Sequence, residues 1–159
     1  MRMLASCLGF LVLTTAASAT DAPSVPFPDG FRNWHHVKTG VILPGNPMYP
    51  FVGGINHTYA NAKAMQGYAS GKFPDGATLV FDTIEATDAD HALNEGKRKV
   101  LGVMTKDSKR YAATDGWGFE NFEAGDPKRA VIGAKAASAC FACHNKPGTH
   151  DHVYSQLRE

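Results

Sequence analysis

The apolar and polar positions along the chain alternate between short strand-like runs and one clear helical run. Trp34 to Leu43 mixes aromatic and β-branched residues and stops at Pro44-Gly45-Asn46-Pro47, a strand running into a loop that continues through Pro50 to Gly53-Gly54. Ile55 to Ala60 then sets Ile55, His57 and Tyr59 against Asn56, Thr58 and Ala60, the period of two that gives a strand two different faces. Asn61 is a suitable N-cap for the helix that follows, with Ala64, Met65 and Tyr68 along one side and Gly71 placed to end it in a left-handed conformation.

Lys72-Phe73-Pro74-Asp75-Gly76 reads as a turn, and Ala77 to Ala86 as the strongest strand of the chain. Leu79 and Phe81 point one way there, Val80 and Ile84 the other, so both faces are expected to be covered. Arg98 to Thr105 and Trp117 to Glu123 read as two further strands, separated by a polar segment around Asp107-Ser108-Lys109-Arg110 with room for a helical turn. The charged stretch Asp88 to Lys99 is expected to be a solvated loop. Ala134 to His144 is alanine-rich and helix-prone, and Asp151 is placed to cap a last short helix with Val153 and Leu157 inward. The fold class is therefore α+β: an antiparallel β-sheet with a mid-chain helix and a C-terminal helical segment carrying the cysteines.

The first residues change this outline. Arg2, the apolar run Leu4 to Leu13 and the small residues Ala17-Ser18-Ala19 form a secretory signal peptide over residues 1–19. The run is shorter than the roughly 20 residues that span a bilayer, so no membrane span is expected. Too few apolar residues precede Cys7 for it to end a lipoprotein signal, and it is discarded with the leader. Residues 20–159, about 140 in number, are then one domain, long enough to close a single core. Thr20 to Gly30 is a proline-rich, extended lead-in. Whole-chain composition gives 16 basic and 15 acidic residues, and loss of Arg2 brings them to balance. That balance offers nucleic acid no electrostatic footprint.

Cys140-Phe141-Ala142-Cys143-His144 fits CxxCH, in which two thiols add to the haem vinyl groups and the next residue ligates iron. Zinc would want a second ligand pair, for which His150 and His152 are near; a redox dithiol would begin a helix inside a βαβ unit, and this pair follows a helix-prone run instead. The expected cofactor is one heme c, covalent through Cys140 and Cys143, with His144 on the iron. What faces the other side then decides function. Met48, Met65, Met104, His35, His36, His57, His91, His150 and His152 are the available sixth ligands, and none stands out. Met65 and Met104 read as core filling, His35, His36 and His91 as surface.

Beyond CxxCH, the mature chain resembles the cytochrome P-460 family. The pieces that carry the resemblance are Phe31-Arg32-Asn33-Trp34, Tyr59-Ala60-Asn61, Gly71 to Gly76, Lys106 to Arg110, Gly116-Trp117-Gly118-Phe119 and the terminal CxxCH, in that order. The resemblance implies a small exported α+β protein, homodimeric, with a five-coordinate haem open on its distal side. In the hydroxylamine-oxidising branch a lysine six residues after the Asp of the Asp-Gly turn is cross-linked to the haem rim. Counted from Asp75 that position is Phe81, which forms no such link, and Lys72 lies nine residues upstream. The chain is similar instead to the cytochrome c′-beta branch, whose distal side is closed by two phenylalanines; Phe81 would be one and Phe51 the other.

Such a cap implies a periplasmic protein that binds NO or CO, because an apolar lid leaves the polar groups of other ligands unsatisfied. An enzyme of the hydroxylamine-oxidising or peroxidase kind would need Asn56 or His57 turned inward, and alternation allows only one of them on the haem side. An electron-transfer cytochrome, serving an unknown redox partner, would need a sixth ligand such as Met48 or a histidine.

Overall fold

A computed structural model describes residues 24–158, so the signal segment, Cys7 and Thr20 to Pro23 lie outside the described residues. Five antiparallel strands form one sheet in sequence order: β1 (His35–Ile42), β2 (Gly54–Ala60), β3 (Thr78–Ala89), β4 (Ala92–Lys106) and β5 (Trp117–Glu123). Two helices interrupt the meander, α1 (Tyr49–Val52) and α2 (Ala62–Ser70), and the chain ends in an irregular helical stretch, Gly133 to His144. The α+β class and the five expected strand positions are those of the structure. Among the described residues no helix is long and apolar enough to cross a membrane.

Helix α2 starts and stops where its sequence dictates. The Asn61 side chain accepts from Ala64 N at 2.8 Å, and Gly71 ends the helix at φ 77°. Asn61 also accepts from Thr78 N and donates to Gly76 O, which ties both ends of the α2 to β3 connection together. Asp75 then accepts from the backbone N and hydroxyl of Ser108, both at 2.8 Å. The Gly71 to Gly76 and Lys106 to Arg110 motifs thus form one hydrogen-bonded corner between β3 and the β4 to β5 connection.

Alternation puts apolar residues on both faces of the sheet, and each face has its own cover. On one side Val37, Ala60, Leu79, Trp117 and Phe119 pack with Ala64 and Phe73 from the α2 region and with Val153 from the C-terminal turn. On the other, Val80, Leu101, Val103 and Phe122 pack with Val25 and Phe31. The proline-rich lead-in is extended as expected, and it lies down on the sheet, Phe27 meeting Phe122 edge-on at 5.0 Å. Asp82 is fully buried on that second face and takes two hydrogen bonds from Arg98, at 2.6 and 3.0 Å. Pairing makes this burial of a charge tolerable.

Three expectations are corrected. The Asp88 to Lys99 stretch is not a loop: β3 and β4 continue through it as a long exposed hairpin that turns at Asp90 and His91, φ 55° and 61°. Two successive positive φ values are what a tight hairpin turn requires, and backbone pairing without a buried face leaves no apolar alternation to read. No helix follows Asp151. Asp151 and His152 are left-handed, His150 bridges Val153, and Leu157 is 38 % exposed, although Val153 is buried as expected. The segment before the motif is not one regular helix either. It passes from a 3-10 turn (Gly133–Lys135) to a π turn (Ala137–Phe141) and an α turn (Ala142–His144).

Glu120 is the hinge of this terminal stretch. Its carboxylate is 3 % exposed and accepts four backbone N–H groups, from Asn121, Val131, Ile132 and Gly133, at 2.7 to 3.0 Å. The chain leaving β5 is thereby turned back toward the first face. Glu120→Gln replaces acceptor oxygens with a donor that faces N–H groups, and is expected to cost about 2 kcal/mol of stability, read by denaturant unfolding. The Ser108 hydrogen bonds hold the Asp75 carboxyl below its ordinary range, so its contribution is present above the unfolded-state value and lost as pH falls through the folded one. Asp75→Asn is expected to flatten the loss of stability below about pH 4, measured by acid titration of the folded fraction.

Candidate functional site

The C-terminal helical stretch lies against the first face of the sheet, where Ala136, Cys140 and Phe141 pack on the core cluster. His144 sits between two aromatic rings, Phe119 from β5 at 5.1 Å and Tyr154 at 5.3 Å. Its Nδ1 lies 2.8 Å from the backbone carbonyl of His152. A carbonyl only accepts, so Nδ1 carries the proton and Nε2 keeps its lone pair. Burial pushes the His144 pKa down, against the carbonyl hydrogen bond, which raises it. At neutral pH the ring is therefore an uncharged imidazole, the form that binds a metal.

Cys140 and Cys143 are free thiols, the first half-buried and the second exposed. Burial, with smaller contributions from the Glu120 charge and from Cys143, pushes the Cys140 thiol up to about 11. Burial thus favours the thiol over the thiolate there. The Tyr154 hydroxyl donates to the Cys143 carbonyl at 2.6 Å, fixing the backbone between the two functional residues. No group of three or more His, Cys, Asp or Glu side chains among the described residues is arranged to hold a metal ion. That removes support for the zinc reading, in which His150 and His152 would join the cysteines.

Strand register assigns the remaining candidates to faces. Phe81 pairs with Thr58 on β2 and Gly102 on β4, two residues along from Leu79, so it projects from the same face as the CxxCH segment. Gly102 in turn pairs with Asn121 on β5. A Cβ at Gly102 would lie 3.3 Å from the Asn121 carboxamide oxygen and 3.6 Å from Phe81 Cβ. Gly102 is thus the close meeting point of Phe81 and Asn121 on this face. Sequence reasoning passed Asn121 over because nothing in its neighbourhood marks it before the strands are paired.

Asn56 lies on the Phe81 face and His57 on the other, as the register Asn56 to Thr83 and His57 to Asp82 requires. Asn56 is buried and fully engaged: its amide donates to the Val52 and Gly54 carbonyls at 3.0 and 2.9 Å, and its oxygen accepts from Thr83 at 2.8 Å. His57 bridges Thr39 and Glu95 at 2.8 Å each. Phe51 stands on α1, 69 % exposed. Of the possible sixth ligands, Met65 and Met104 pack on the first cluster as core filling and Met48 is 47 % exposed beside α1. His35, His91 and His150 are exposed, whereas His36 is half-buried and faces Thr39.

The donor set is thus two free thiols and an imidazole with one free nitrogen, on the sheet face that also carries Phe81. It suits a covalently held, iron-bearing planar group. No curated protein matches this chain. The family model described as Cytochrome P460 matches residues 28–155, from the last residues of the lead-in through all five strands to the terminal motif. The chain belongs to the cytochrome P460 family, and its cofactor is haem.

Proposed function

We propose that this protein is a periplasmic mono-haem c-type cytochrome of the cytochrome c′-beta kind, which binds NO or CO on a five-coordinate iron. Phe81 carries the reading. The family resemblance sets it at the strand position of the cross-linking lysine, and its strand register, two residues from Leu79, puts it on the sheet face against which the CxxCH segment packs. Cys140 and Cys143 would hold the haem and His144 Nε2 would ligate it. Bound haem iron supplies one open coordination position for a small ligand.

What the chain contributes is exclusion. Phe81 gives a polar ligand nothing to hydrogen-bond, and the carboxamide of Asn56, the member of the Asn56–His57 pair that alternation turns to this face, is spent on the Val52 and Gly54 carbonyls and on Thr83. Neutral diatomics lose least under these conditions. The signal peptide supports export to the periplasm, and the resemblance supports a homodimer.

A second reading, a hydroxylamine-oxidising or peroxidase-type oxidoreductase, has one observation in its favour: Asn121 brings a carboxamide beside Gly102, next to Phe81. Proton transfer would still need a titratable group there. An electron-transfer cytochrome is supported less, because Met48 is exposed on the outside of α1.

Absorption and electron paramagnetic resonance spectra of the purified protein decide among these. The expected result is a high-spin ferrous haem that survives acid extraction and binds CO and NO; a six-coordinate, low-spin ferrous spectrum without response to either gas would sink the proposal. Phe81→Ala is expected to raise CO affinity by about tenfold, the scale on which one bulky apolar group discriminates in a site, and to let water reach the ferric iron. Titration with CO checks the first effect and the ferric spectrum the second.

A further inference from the structure

The turn after CxxCH is held more firmly than a chain terminus requires. Asp151 and His152 both adopt left-handed backbone angles, φ 48° and 67°. Residues other than glycine keep such angles when their surroundings impose them. Here Asp151 is the point of imposition. Its Oδ2 accepts from Phe73 N at 2.8 Å, and its Oδ1 accepts from Lys106 Nζ at 2.8 Å and from Trp117 Nε1 at 3.4 Å. One carboxylate therefore pins the turn to the α2 to β3 corner, to the end of β4 and to the start of β5.

The next residue carries the consequence. The His152 carbonyl is the group that accepts from His144 Nδ1. The His152 ring packs on Phe141 at 5.0 Å and its Nε2 faces Asp115 at 3.4 Å, so the residue is held from its side chain as well. Asp151, the His152 carbonyl and His144 form one continuous connection from the sheet to the imidazole.

We propose that Asp151 is a positioning residue for the haem ligand: by pinning the left-handed turn it sets the His152 carbonyl against His144 Nδ1 and so fixes the tautomer, ring rotation and donor strength of Nε2. The proposal rests on the reading that His144 ligates the haem iron. A hydrogen bond from Nδ1–H to a fixed acceptor raises the basicity of Nε2, which strengthens its bond to iron and favours the ferric state. Loosening the turn weakens that bond. A carboxylate that merely stapled the C-terminus would change stability and leave the iron untouched.

Resonance Raman spectra and reduction potentials of the haem-loaded protein test this. In Asp151→Asn the iron–histidine stretch is expected to move to lower frequency and the potential to rise. Lys106→Met and Trp117→Phe each remove one contact of Asp151 and are expected to shift both readouts in the same direction by less; they carry the test if Asp151→Asn does not load haem. Arg98→Met, which breaks the Asp82 pair on the opposite face of the sheet, is expected to lower thermal stability and move neither readout. Unchanged stretch and potential in the loaded Asp151 and Lys106 variants would overturn the proposal. An absent iron–histidine band in the unsubstituted ferrous protein would overturn the reading of a five-coordinate haem on His144 and the positioning role with it, an outcome distinguishable because it appears before any substitution is made.

Discussion

A sheet that is apolar on both faces must find two covers, and this requirement organises the whole molecule. Leu79 and Val80 are adjacent in β3 yet belong to different clusters, because successive side chains of a strand leave from opposite faces. The N-terminal lead-in closes one face with Val25, Phe27 and Phe31. The other is closed by α2 and the C-terminal stretch, so the segment that carries the chemistry is also part of the core. Release of that stretch would expose Phe119 and Trp117 along with it.

Buried and half-buried carboxylates tie these parts of the chain together, each by a different kind of partner. Glu120 collects backbone N–H groups and reverses the chain after β5. Asp151 joins a backbone N–H, a lysine and an indole, and fixes the turn beyond CxxCH. Asp82 is paired with Arg98 on the far face. An acidic side chain in such a position must have its acceptors filled, since an unpaired buried charge costs several kcal/mol. That makes each of the three specific to one arrangement of the chain around it.

The same register also distributes polarity around Phe81. Thr58, Thr83, Asn56 and Asn121 share its face, yet Asn56 and Thr83 are bonded to each other and to the α1 connection. His57, the strongest candidate for acid–base work by residue type alone, projects from the opposite face into contacts with Thr39 and Glu95. The side of the sheet that carries CxxCH is therefore chemically quieter than the composition of β2 suggests.

The sequence by itself determined the two-faced strands, the limits of α2 and the CxxCH motif, because alternation, an asparagine N-cap, a C-terminal glycine and a fixed ligand spacing are local rules that need no partner. It also set Phe81 on the same side of its strand as Leu79, and allowed only one of the neighbours Asn56 and His57 to face inward. It left open which one, since that depends on pairing across β3. The Asp88 to Lys99 hairpin was hidden for a related reason: it is held by backbone hydrogen bonds and a positive-φ turn, with no buried side to pattern the residues. Glu120 and Asp151 were hidden more completely. An acidic residue in sequence carries no sign of whether it will meet water or four backbone amides, and only tertiary structure, which brings residues 131 to 133 and 73, 106 and 117 to those carboxylates, decided it.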